Sequence, residues 1–147
     1  MLRWLAVKKQ GDGYVFTKQQ GLKTQQPRRD AFGGKLYVLI NGGSFSVTTE
    51  FAARVHADGR GIFIGEETGG AYEGNSSGIF AITQLPHSKI DLGIPMFGFH
   101  MANLPAGLQR GQGIRPDQII TPTIQDVLTG NDPAMQYAQQ LIQSGES

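Results

Sequence analysis

The chain has 147 residues, 39% of them hydrophobic and 17% charged, and a formal net charge of +1. That length holds one domain with a real core, and the composition excludes a disordered chain. The balanced charge gives no reason to expect nucleic acid or an anionic membrane as a partner, and the absence of cysteine excludes disulfides and thiolate metal sites.

The first segment, Met1 to Ala6, is apolar but too short for a signal peptide, and basic residues follow it at once. No apolar run further along approaches the ~20 residues of a membrane-spanning helix. Residues 1–12 carry no clear signal, and Tyr14-Val15-Phe16 reads as a short strand. Lys18 to Asp30 is polar, contains Pro27 and reads as a loop with Lys23, Arg28 and Arg29 solvated. Residues 1–31 are therefore expected to be an irregular N-terminal segment, and 32–147 the structured part.

From Lys35 the pattern sharpens. Leu36-Tyr37-Val38-Leu39-Ile40 is a continuous apolar run between Gly33-Gly34 and Asn41-Gly42-Gly43, as expected of a strand buried on both faces. Ser44 to His56 has helical spacing, with Val47, Phe51 and Val55 as its apolar face. Ile62-Phe63-Ile64 reads as a second buried strand, so strand, helix and strand predict a right-handed crossover in a parallel sheet. A glycine-rich loop over 66–78 follows; glycines cluster at 59–78, where special backbone conformation or close approach of a ligand is expected. Ile79 to Ile82 and Ile90 to Leu92 read as strands joined around Leu85-Pro86-His87, and Pro95 restricts the segment after them. Thr123 is expected to cap a short helix over Ile124 to Leu128. Asp132, followed by Pro133, caps a last helix striped by Met135, Ala138, Leu141 and Ile142.

The stretch that can carry chemistry is Asn41-Gly42-Gly43-Ser44-Phe45-Ser46-Val47, between the first buried strand and its helix. A serine there is presented at the strand's C-terminal end beside the unpaired N–H groups of a helix start, which favour developing negative charge. Acyl transfer needs such donors beside its nucleophile. The spacing is not that of the G-x-S-x-G elbow around either serine. The alternative is that Ser44 or Ser46 only caps the helix. Glu66 and Glu67 end the neighbouring strand, where a carboxylate could orient a base, bind substrate or hold loop backbone. Tyr72 and Asn75 are further loop candidates. His56 lies roughly three turns along the nucleophile's helix, and His87 and His100 fall in loops. The three histidines are too dispersed for a metal site. Arg110 and Arg115 are read as surface residues, with binding of a peptide carboxylate as the alternative.

Phe32-Gly33-Gly34-Lys35-Leu36-Tyr37-Val38-Leu39-Ile40-Asn41, followed by Ser46, Glu50, Phe51 and Ala52, resembles the core of the tail-specific, or C-terminal processing, serine peptidases. Gly65-Glu66-Glu67-Thr68-Gly69-Gly70 resembles that family's second block. Gly113-Ile114-Arg115-Pro116-Asp117 resembles its late block, and Asp126 to Ile142 its closing segment. The resemblance covers roughly residues 32–142, in order.

It implies an α/β fold: a ClpP/crotonase-like core of ββα units with a mainly parallel sheet, here as the C-terminal part of a catalytic domain. It implies Ser46 as nucleophile and the Val47 N–H as an oxyanion donor. Thr68, Gly69, Gly70 and Tyr72 are read as the substrate loop, and Glu66 and Glu67, from their place at the strand end, as groups that orient a base, bind substrate or hold loop backbone. Counted from Asn41 the nucleophile position holds Ser46; counted back from Glu50 it holds a valine. The implied reaction is peptide-bond hydrolysis through an acyl-enzyme, on a peptide or protein substrate and without cofactor or metal. The resemblance also suggests an exported bacterial protein, periplasmic or extracellular.

Three features depart from the pattern. No lysine lies between Lys35 and Lys89, so the sequence is closer to the tricorn-like and retinoid-binding-protein-like branch, which lacks the activating lysine. Gln109-Arg110-Gly111-Gln112 has no glutamate where tricorn-like enzymes carry one. The strand that supplies the second oxyanion donor is not recognisable in residues 1–31. A catalytically silent module binding peptide or lipid is the alternative these departures favour; nothing resembles a CoA-binding segment.

Overall fold

The computed structural model describes residues 7–17 and 25–145, so the readings of Met1–Ala6 and of the 18–24 part of the loop lie outside the described residues. The chain divides into two compact units, 1–34 and 35–147. In the first, β1 (Val7–Gln10) pairs antiparallel with β2 (Gly13–Phe16), Val7 opposite Phe16 and Gln10 opposite Gly13. The segment expected to be irregular thus carries a hairpin. Its turn is Gly11-Asp12, and Gly11 has φ of +60°, the left-handed first position that two-residue hairpin turns assign to glycine.

The second unit is built on a parallel sheet of three strands in the order β3 (Tyr37–Ile40), β4 (Ile62–Gly65), β7 (Gln118–Ile119). The crossover from β3 to β4 is α1 (Val47–Ala57). β4 lies in the centre, and Phe63 and Ile64 are fully buried, each worth roughly 1.5–3 kcal/mol of apolar burial. Phe63 packs with Ile40, Ala52, Ala53, Val55, Tyr72 and Ile114 beneath α1. Ile64, one residue on, faces the other side of the sheet, where α3 (Pro133–Ser144) runs against β3 and β4. Asp117 fixes the start of β4, its Oδ2 accepting the Phe63 N–H at 2.7 Å.

The face of α1 differs from the one expected. Thr49, Ala52, Ala53 and Val55 are buried, whereas Val47 and Phe51 are exposed. Steps of four residues overshoot a full turn by ~40° each, so of Val47, Phe51 and Val55 only the last reaches the sheet. The two alanines let the helix approach closely. α1 also starts at Val47 rather than Ser44.

β5 (Gly74–Gln84) and β6 (Asp91–His100) form a long antiparallel hairpin with an irregularity between Ser77 and Phe80. β5 begins inside the stretch read as a glycine loop, because Gly74 to Ser77 pair with Phe97 to His100. Pro95 lies within β6, opposite Phe80 at the irregularity, a place where a ladder tolerates proline.

The closing helices follow their caps. α2 (Ile124–Thr129) has a capping box of Thr123 and Asp126 and ends on Gly130 in the left-handed region. Asp132 caps α3 by accepting the Met135 N–H at 2.9 Å. Of α3's apolar stripe only Ala138 is fully buried; Leu141 is half-buried, and Met135 and Ile142 face solvent. No helix among the described residues is long and apolar enough to cross a membrane, and none of their side chains cluster as a metal site.

Candidate active site

β3 ends at Ile40 and the chain turns sharply. Asn41 Oδ1 accepts the Gly43 N–H at 2.9 Å, the Ser44 N–H donates to Asn41 O at 2.9 Å, and the Asn41 N–H donates to Ser44 Oγ at 3.3 Å. Ser44 is buried. Its carbonyl accepts from Thr49 Oγ1 at 2.8 Å and from the Gly70 N–H at 2.9 Å. With both ends of this turn pinned, Ser46 adopts φ 54° and ψ −129°. That lies outside the regions open to an L-residue without strain, and such residues cost on the order of 1–3 kcal/mol and gather at functional sites.

Neither serine caps α1. The Ser46 side chain makes no capping bond, and Ser44 Oγ is engaged by Asn41. Ser46 is exposed, at the first turn of α1, and its carbonyl accepts the Glu50 N–H at 3.0 Å. The Val47 N–H opens the helix beside it, and it has no acceptor among the described residues. Helix starts present such N–H groups, with the partial positive end of the dipole, to anions.

The three sequence blocks are stitched together at this turn. Gly69 packs under Gly42 O and the Phe45 ring, so that a Cβ there would overlap both, and a Cβ on Gly70 would overlap Thr49 Oγ1. The Thr68 N–H donates to Ile114 O at 3.1 Å while its Oγ1 accepts the Ile114 N–H at 2.8 Å. Glu67 accepts the Gly113 N–H at 2.9 Å and pairs with Arg115 at 3.5 Å. Glu67 therefore bonds loop backbone, one of the roles open to it from sequence. Tyr72 is buried; its N–H donates to Gln112 O at 2.8 Å and its hydroxyl to Ala53 O at 3.2 Å. Burial raises the Tyr72 pKa, with a smaller contribution from the Asp58 charge, so the hydroxyl stays a donor. Thr68 and Tyr72 thus direct their side chains into the protein.

Glu66 is half-buried, and its N–H donates to Ile40 O at 2.9 Å. It lines a cavity of about 350 Å³ at the C-terminal ends of the sheet strands with Ile40, Asn41, Ile120, Asn131 and Pro133.

Glu50 was visible in sequence only as part of the resemblance. One turn after Ser46, its carboxylate accepts from Asn75 Nδ2 at 2.6 Å, and Asn75 Oδ1 is buried without a partner. The i, i+4 spacing was the available signal for Glu50; Asn75 arrives from the far end of the loop, beyond local spacing.

Among the described residues nothing hydrogen-bonds to Ser46 Oγ. His56 sits edge-on against Phe63 and Tyr72, with Nδ1 3.1 Å from the Tyr72 hydroxyl. His87 lies in the exposed turn of the β5–β6 hairpin, and His100 at the hairpin's base opposite Gly74. Arg110 is exposed.

Comparison with known proteins shows the family to which the chain belongs. No curated protein matches the chain significantly. Among solved structures, tricorn protease is similar over 76% of this chain and 10% of its own, with 27% identity and a TM-score of 0.50. A protein of Parabacteroides merdae ATCC 43184, described as a candidate peptidase, is similar over 88% of this chain and 35% of its own, with 21% identity and a TM-score of 0.48. The chain therefore spans about a tenth and about a third of these two proteins. The profile of Peptidase family S41 matches residues 4–120, well over half of the sequence, and the chain belongs to that family.

Proposed function

We propose that the chain carries the nucleophile-bearing part of a serine peptidase site, with residues 32–147 as the C-terminal part of the catalytic domain. The observation that carries this reading is the backbone of Ser46, a strained and exposed serine at a strand-to-helix turn in a chain of a peptidase family. In the reaction, Ser46 Oγ attacks the carbonyl carbon of the scissile peptide bond and gives up its proton to a general base. The carbonyl oxygen becomes an oxyanion facing the Val47 N–H. Collapse expels the amine, which takes a proton, and leaves an acyl-serine that water hydrolyses. Glu66, which lines the cavity together with Asn41, contacts substrate, whereas Glu67 holds the loop. The lack of a lysine between Lys35 and Lys89 favours the tricorn-like branch and a base other than lysine.

A pre-steady-state burst on an activated ester tests this. The burst should be stoichiometric with the chain and vanish in Ser46→Ala; a chain that turns over no ester, or a burst that survives the substitution, contradicts it. The second reading, a silent module binding peptide or lipid, is favoured by the bare Ser46 Oγ. It predicts saturable binding of peptide with no burst.

A further inference from the structure

The cavity of about 350 Å³ at the C-terminal ends of β3 and β4 lies where parallel sheets bind ligands, in the crevice outside the strand ends. Its volume is at the small end of the roughly 300–1,000 Å³ of small-molecule sites, room for one extended side chain. The walls are aliphatic: Leu39, Ile40, Ile120, Pro133 and Ala134 line it, each buried or half-buried.

Three carboxylates also line it, and no lysine, arginine or histidine does. Two of the three are engaged. Asp126 accepts from the Thr123 N–H at 2.8 Å and from Asn131 Nδ2 at 2.6 Å, and Asp132 from the Met135 N–H at 2.9 Å. The last bond also occupies the start of α3, and Pro133 has no N–H, so the helix end offers little to an anion. The Glu66 carboxylate has no hydrogen-bond or ion-pair partner among the described residues. A half-buried carboxylate against aliphatic walls is stabilised by a cation that brings its own hydrogen bonds. An alkyl stem ending in an ammonium or guanidinium group matches both parts of the cavity. An anion meets three carboxylates, and a purely apolar group leaves Glu66 unpaired.

Asn41 connects the cavity to the turn that carries Ser46. It lines the cavity, and its Oδ1 accepts the Gly43 N–H within the turn. A peptide side chain seated in the cavity leaves its backbone beside that turn. We propose that the cavity is a specificity pocket for a lysine or arginine side chain of a peptide, with the stem between Leu39, Ile120 and Pro133 and the charge on Glu66. That the peptide is a substrate rests on the peptidase reading; that it binds here does not.

Fluorescence anisotropy tests this on the full chain carrying Ser46→Ala, with labelled peptides that hold one lysine, arginine, norleucine or glutamate in an alanine background. The lysine and arginine peptides should bind about tenfold tighter than the norleucine peptide, the worth of one charge-assisted hydrogen bond. Adding Glu66→Gln should remove that advantage while leaving the norleucine affinity, which also reports the fold, unchanged. Glu66→Lys should shift the preference to the glutamate peptide. Equal affinity for lysine and norleucine, or an advantage that survives Glu66→Gln, overturns the proposal. Pentylamine that competes as well as the lysine peptide means a free-amine site and overturns it too. The ester burst is read separately. A lysine preference without a burst removes Ser46 as nucleophile and keeps the pocket as a peptide-binding site; a burst without the preference does the reverse.

Discussion

Ser46 is held in its backbone conformation by neighbours rather than by preference. Asn41, Ser44, Thr49 and Gly70 close the turn on either side, and the strain this imposes is stored at the residue we propose as nucleophile. Glycine at position 46 removes the Cβ that makes φ 54° unfavourable, at some cost in unfolded-state entropy. Ser46→Gly should therefore gain about 1 kcal/mol in stability by urea denaturation, set by the relief of strain. A loss of similar size would mean that the turn is relaxed. The sequence marked this position only through its neighbours: glycines and small polar residues between an apolar run and a helical pattern signal a tight turn, but the sign of φ at one serine follows from contacts with Gly69 and Gly70, more than twenty residues away.

At the scale of elements, local signals were read correctly where the element is stabilised locally. Thr123 and Asp132 cap their helices as their positions predict. The Thr123–Asp126 pair has a pH consequence. Hydrogen bonds from the Thr123 side chain, Asn131 and the Thr123 backbone lower the Asp126 pKa below its ordinary 3.8. A depressed folded-state pKa gives stability that is fully present above the unfolded value and is lost as pH falls through the folded one. The Asp126 carboxyl should thus titrate below 3.8 by NMR, and Thr123→Ala should move its midpoint up towards that value; a midpoint that stays put would show the capping box absent in solution. Elements set by pairing at a distance were less legible. The β1–β2 hairpin had a signal, glycine-aspartate between short strands, but β5 starts in a polar, glycine-bearing stretch whose strand character comes from Phe97 to His100 across the ladder. The buried face of α1 was misplaced because Ala52 and Ala53 matter there for being small, and hydrophobic spacing gives them little weight.

Over the whole molecule, the three blocks that were separate in sequence form one structure. Gly70 bonds Ser44, Thr68 bonds Ile114, and Glu67 bonds Gly113, so the second and third blocks brace the turn of the first. Their order and residue types were readable along the chain, while the division of labour was not: Glu67 and Asp117 spend their carboxylates on backbone N–H groups, and Glu66 remains at the cavity. We propose that this frame presents Ser46 as the nucleophile, and fluorophosphonate labelling followed by peptide mapping tests that proposal most directly. The expected result is one adduct, on Ser46, absent from Ser46→Ala and unaffected in Glu67→Gln once folding is confirmed. No adduct, or an adduct on Ser44 instead, would contradict it.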